Sequence, residues 1–144
     1  MTSPTTPLMR PALLILSLVT AFAAGSGAVG AESPSPSTYQ TSCVHIGVIG
    51  KTLYADCRRN AGGFKRAALP IAAIENRNGS LRFTSMYRAS TFQDSCKDIA
   101  VAGNVLYATC RRDDGGFNET SIIIPGIANV DGDLRYRDEP GHGK

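Results

Sequence analysis

The residues best placed to do chemistry are polar, and most of them sit in turns. Asn76-Arg77-Asn78-Gly79 and Asn129-Val130-Asp131-Gly132 share an Asn-x-Asx-Gly pattern. As bare sequence these are turn signals, because Asn, Asp and Gly tolerate left-handed backbone. The pairs Arg58-Arg59 and Arg111-Arg112 read either as solvated strand ends or as a site for a polyanion or anionic glycan. The acids Glu75, Asp94, Asp98, Asp113, Asp114 and Asp131 could in principle supply a glycosidase pair. Scattered over turns, they read as solvation instead. The two histidines, His45 and His142, complete no nucleophile, base and acid set. The cysteines lack zinc spacing. No enzyme, metal or cofactor is expected, and binding through polar groups is the chemistry left.

The framework that must position these groups is stated twice. A shift of 53 residues places Cys96 on Cys43, Cys110 on Cys57, Arg111-Arg112 on Arg58-Arg59, and Gly115-Gly116-Phe117 on Gly62-Gly63-Phe64. Residues 39–83 align with residues 92–136 without a gap, and 21 of 45 positions are identical. An internal repeat decides the fold before any local reading does. Within each copy, alternating apolar residues flank glycines. Val44, Ile46 and Val48 precede Gly50; Leu53, Ala55 and Cys57 follow it. Period two around a glycine reads as a hairpin. Asn78-Gly79 and Asp131-Gly132 mark further hairpins. Pro70 confines its run to an edge strand or an irregular turn. No segment sustains a period of 3.6, so helix is limited to single turns. Phe64 and Phe117, each after a Gly-Gly step, are expected in the core, and Tyr54 and Tyr107 in sheets.

The chain has 144 residues and a formal charge of +3, a mild balance that argues against a dedicated nucleic-acid surface. Residues 1–31 read as a secretory signal peptide. Arg10 supplies the positive start, the apolar stretch 12–24 is too short to span a bilayer, and Val29-Gly30-Ala31 offers the small-residue cut. A secreted protein follows, with no membrane partner after cleavage. An even cysteine count behind such a signal implies disulfides. Four cysteines allow three pairings, and spacing alone does not choose; one bridge per repeat, Cys43 with Cys57 and Cys96 with Cys110, keeps the repeats equivalent. Each bridge would close a loop of about 15 residues, worth about 3 kcal/mol in the chain-entropy model. Residues 32–38, rich in Ser and Pro, read as a disordered linker. Residues 138–144 form a polar tail.

With these residues in place, the repeat resembles the cyanovirin-N homology (CVNH) domain. The resemblance rests on the Ser-Cys start, the second cysteine after an apolar alternation, the Gly-Gly-aromatic step, and the ending Ile-x-Asn-x-Asp-Gly-x-Leu. Residues 127–134 fit that ending fully, and residues 74–81 fit it with Asn78 for the acid. The resemblance covers residues 39–136. It implies an all-β, cyanovirin-N-like fold for a domain at residues 39–137: two pseudo-symmetric halves with strand exchange, each a three-stranded sheet plus a hairpin.

It also implies a calcium-independent lectin for mannose-rich oligosaccharides or glycoprotein glycans, with up to two sites at opposite ends. Carried over residue by residue, the first site would comprise Thr41, Ser42, Arg58, Asn60, Asn129, Val130 and Asp131. The second would comprise Glu75, Asn76, Asn78, Ser95, Arg111, Arg112 and Asp113. Such groups suit sugars, whose vicinal hydroxyls both donate and accept. Two shallow sites would gain by avidity on a branched glycan. Arg58, Asp113 and Gly115 depart from the founding member's residues. They motivate the alternative, a secreted structural or protein-interaction module that has lost sugar binding. The join at residues 84–91 is longer than the founding member's and lacks its hinge proline, so a monomer is expected rather than a domain-swapped dimer. Asn78-Gly79-Ser80 and Asn118-Glu119-Thr120 are glycosylation sequons in a host with that machinery.

Overall fold

Ten short strands run through the described residues, a three-stranded set and then a two-stranded set in each copy, and the repeat is visible in every one. The computed structural model describes Pro4, residues 34–86 and residues 88–137. The signal peptide and the tail at 138–144 lie outside these, Pro4 apart. Strands β1 (Cys43–Ile49), β2 (Thr52–Arg58) and β3 (Phe64–Pro70) form one antiparallel sheet, with Pro70 ending an edge strand. Strands β4 (Ile74–Arg77) and β5 (Ser80–Phe83) form a hairpin. The second copy repeats both: a sheet of β6 (Cys96–Ala102), β7 (Val105–Arg111) and β8 (Phe117–Ile123), then a hairpin of β9 (Ile127–Val130) and β10 (Asp133–Tyr136). Helix among the described residues is limited to 3-10 turns at Tyr39–Thr41 and Phe92–Asp94.

Each hairpin packs on the sheet of the other copy: β10 lies against β3, and β5 against β8. Strands are therefore exchanged between the repeats. The buried residues form one shared cluster made of twins: Tyr39 with Phe92, Leu53 with Leu106, Ile71 with Ile124, Ile74 with Ile127, and Leu81 with Leu134. Burying each such Leu or Ile contributes about 1.5–3 kcal/mol. One cluster fed equally by both copies means that neither copy has a core of its own. The cysteines pair within repeats, Cys43 with Cys57 and Cys96 with Cys110, directly opposite one another across β1–β2 and β6–β7.

Three features depart from the sequence reading. The alternation in β1 and β6 is broken by a bulge, between Val44 and Gly47 and between Lys97 and Ala100. His45 and Asp98 take the left-handed backbone there, each at φ 51°. The bulge turns Val44 outward while Ile46 and Val48 pack on the core. Phe64 and Phe117 are not core residues. They are 52% and 46% exposed, because they pair with the outward-facing Arg58 and Arg111. Those guanidiniums lie over the rings, each 5.9 Å from the centroid.

The third departure is at residues 35–38, which are ordered and not a disordered linker. Ser37 is buried, and its Oγ accepts the Ile127 N–H at 2.9 Å. Its own N–H donates to Ile124 O at 3.0 Å, and Thr38 N–H to Ile127 O at 2.9 Å. Ser90 and Thr91 do the same work on Ile74, at 3.0 Å each. The polar composition that suggests disorder here serves to satisfy backbone groups that the exchanged hairpins leave unpaired.

Candidate functional site

Each end of the molecule is assembled from a two-residue turn and the loop it docks on. At the first end, Asp131 and Gly132 join β9 to β10 with φ of 51° and 90°, the paired positive values of a type I′ turn. Asn129 braces the turn, its Oδ1 accepting the Gly132 N–H at 2.8 Å. Its amide then reaches across to the first repeat, donating to Ser42 Oγ and to Arg58 O, both at 2.9 Å. The Asn60 N–H donates to Asp131 Oδ1 at 2.9 Å. The loop below is closed by Arg59 N–H donating to Gly63 O at 3.0 Å. Its flank is tied by Lys65 Nζ to Asp133 Oδ1 at 2.6 Å.

The second end repeats this geometry. Asn78 and Gly79 turn at φ of 50° and 84°. Asn76 accepts the Gly79 N–H at 2.8 Å and donates to Ser95 Oγ at 2.9 Å and Arg111 O at 2.8 Å. The Asp113 N–H donates to Asn78 Oδ1 at 2.9 Å. Here the flank is held by neutral groups: Asn118 Nδ2 donates to Gly79 O at 2.8 Å, and the Leu81 N–H to Thr120 Oγ1 at 3.1 Å.

The structure thus joins Ser42, Arg58, Asn60, Asn129 and Asp131 into one bonded set, and Asn76, Asn78, Ser95, Arg111 and Asp113 into another. Val130 is exposed at the first turn. The Thr41 hydroxyl is spent locally on Thr38 O at 2.8 Å. Glu75 pairs with Arg77 along its own strand at 3.0 Å, and Arg112 with Asp114 at 3.0 Å. Both N–H groups of Asn76 and of Asn129 are committed inside the protein, so these two residues fix the sites. The groups left to face a ligand are the second oxygen of Asp131, the amide nitrogen of Asn78, the arginine heads and the carboxylate of Asp113.

The two sugar sites carried over from the resemblance omitted Arg59, whose stem crosses the Asp131–Gly132 turn: a Cβ on Gly132 would fall 2.9 Å from Arg59 Cγ. The repeat could have supplied it, since Arg59 is the twin of the chosen Arg112. Asp114, the partner of Arg112, was likewise left out.

Comparison with known proteins fits this architecture. The family model described as the CVNH domain matches residues 39–135, and the chain belongs to that family. Among solved structures, TbCVNH from T. borchii is similar at 29% identity with a TM-score of 0.59, covering 69% of this chain and 99% of its own. Microvirin, solved with mannobiose, is similar at 25% identity and a TM-score of 0.55, with 72% and 99% covered. A MoCVNH3 variant solved in complex with (N-GlcNAc)4 shares the fold at 21% identity and a TM-score of 0.60, again with 72% and 99% covered.

Proposed function

We propose that this chain is a secreted, non-enzymatic carbohydrate-binding protein that recognises mannose-rich glycans through up to two sites, one at each end. The observation that carries the reading is the docked Asn-x-Asx-Gly turn. Asn76 and Asn129 spend their amides on the opposite repeat, which holds the exposed Asn78 and Asp131 on a rigid frame. Preorganised polar groups of this kind lose little entropy when a sugar hydroxyl arrives. Family membership and the likeness to mannobiose-bound microvirin support the choice of ligand class. Secretion rests on the leader at residues 1–31 and agrees with two disulfides.

Titration of the labelled protein with mannobiose, followed by NMR, tests the reading. Amide shifts are expected at Asn60 and Gly132 for the first end and at Gly79 and Asp113 for the second. Folded protein whose amides stay still with mannobiose and on a mannose-rich glycan array would exclude it. Protein partners that survive excess mannose would then favour the interaction-module reading.

A further inference from the structure

The two ends are built from twin residues, so each is a control for the other, and they differ in charge. Arg59 and Arg112 lay their stems over the same turn position. A Cβ on Gly132 would sit 2.9 Å from Arg59 Cγ, and one on Gly79 2.6 Å from Arg112 Cγ. The stems are pinned alike, but the heads are not. At the second end Arg112 Nη2 lies 3.0 Å from Asp114 Oδ2, and Asp114 Oδ1 also accepts the Gly116 N–H at 2.8 Å. Ala61 stands at the Asp114 position in the first repeat. Among the described residues, Arg59 has no carboxylate within salt-bridge distance, and neither has Arg58.

One further substitution acts in the same direction. Asp113 of the second end has Asn60 as its twin, while Glu75, whose twin is Ala128, is balanced by Arg77, whose twin is Val130. The first end gains Asp131 and Asp133 in place of Asn78 and Ser80. Asp133, however, is occupied by Lys65 at 2.6 Å and approached by Arg135 at 3.9 Å. The first end therefore sets two arginines without a carboxylate partner, Arg59 free and Arg58 lying over Phe64, against the one carboxylate of Asp131. The second sets two arginines, one of them already paired, against Asp113 and Asp114, with Glu75 held by Arg77.

A guanidinium without a protein partner, on a stem held in place, is an anion receptor. It can grip a carboxylate through two parallel N–H···O bonds, and little rotamer freedom is lost on binding. A neutral sugar can accept from its N–H groups but leaves its charge unmatched. Asp131 sets the orientation, because its free oxygen accepts from a hydroxyl and repels an acid placed on it.

We propose that the first end selects an acidic saccharide, one that carries a uronate-type carboxylate. Arg59 reads the carboxylate, with Arg58 beside it, and Asp131 takes a hydroxyl of the adjoining sugar. The second end, with Arg112 neutralised, is left to uncharged sugars. This inference rests on the carbohydrate-binding reading above.

The test is NMR titration of the full chain with trigalacturonic acid, its methyl ester and mannobiose. The acid is expected to shift Asn60, Asp131 and Gly132 and to bind about tenfold more tightly than the ester, a difference of about 1.4 kcal/mol. That preference should weaken as NaCl is raised. Ala61→Asp, which installs the missing partner, should abolish it while mannobiose binding and the melting temperature stay in place. Arg59→Gln should abolish it too. Equal binding of acid and ester, acid-induced shifts at Gly79 and Asp113 instead, or a preference that survives Ala61→Asp would overturn the proposal. A sulfated oligosaccharide that binds as tightly as the uronate would overturn the carboxylate assignment. If mannobiose binds the first end and the acid gains nothing, only this proposal falls. If no saccharide moves any amide, the carbohydrate-binding reading falls with it.

Discussion

Asn129 donates an N–H to Oγ of Ser42, 87 residues earlier in the chain, at 2.9 Å, and Asn76 makes the same bond to Ser95. The same amide caps Arg58 O, and its oxygen holds Gly132 N–H. One side chain thus fixes the turn and fastens it to the other repeat. Asn129→Ala leaves these partners unpaired and is expected to cost about 1–3 kcal/mol. Asn76→Ala should cost a similar amount, and the double variant should show the sum, because the two sets share no partner. Urea unfolding of the three variants measures it.

Gly132 and Gly79 combine positive φ, 90° and 84°, with an arginine stem where a Cβ would go. Alanine at either position is expected to destabilise by about 1–3 kcal/mol from backbone strain alone. The clash with Arg59 or Arg112 adds to it. A fall in denaturation midpoint with unchanged slope would show that the loss is of stability and not of two-state folding.

Ser37 lies ahead of the region matched by the family model, yet it is buried and accepts Ile127 N–H. Ser37→Ala should destabilise by about 1–2 kcal/mol, as should its twin Ser90→Ala. A chain that begins at Tyr39 should lose more, since Ser35 and Thr38 also bond to the second repeat. Thermal melts of the truncated and point variants, compared with the full chain, check this.

Acid stability should depend on the half in which the sheet of the first repeat carries the hairpin of the second. The hydrogen bond from Lys65 holds Asp133 below the ordinary carboxylate range, and His45, then Arg66, do so for Asp56. A carboxylate whose folded pKa lies below its unfolded one stabilises above the unfolded value, about 3.9, and loses that as pH falls through the folded value. Stability is therefore expected to fall below about pH 4. Asp133→Asn and Asp56→Asn should flatten that fall. Their twins are Ser80 and Thr109, so the second half contributes no counterpart. Both acids are half-buried and within reach of solvent, so NaCl should weaken the effect. Urea midpoints across acidic pH, with and without salt, measure it.

Much of the fold was legible because the turn chemistry and the repeat agree. Asn78-Gly79 and Asp131-Gly132 demand type I′ hairpins, and one bridge per repeat puts each disulfide across one hairpin. The exchange of hairpins was legible only through the family resemblance, since no local pattern says which sheet a hairpin will cover. The bulges at His45 and Asp98 have no signature, because any short polar residue can take that backbone at modest cost. Phe64 and Phe117 misled because size argues for burial, while the register with Arg58 and Arg111 turned them outward. The order of residues 35–38 had a trace in Ser37-Thr38, which recurs as Ser90-Thr91 at the same offset. In the site, residue types were readable. That Asn76 and Asn129 are braces, with little left to offer a ligand, needed the coordinates.

Because each hairpin covers the sheet of the other copy, a single repeat holds only one half of each candidate site. A lone copy could complete itself only by embracing a second, and it would then own two identical ends. Joining the copies through residues 84–91 removes that dependence on concentration. It also frees the ends to diverge, as Ala61 and Asp114 have done.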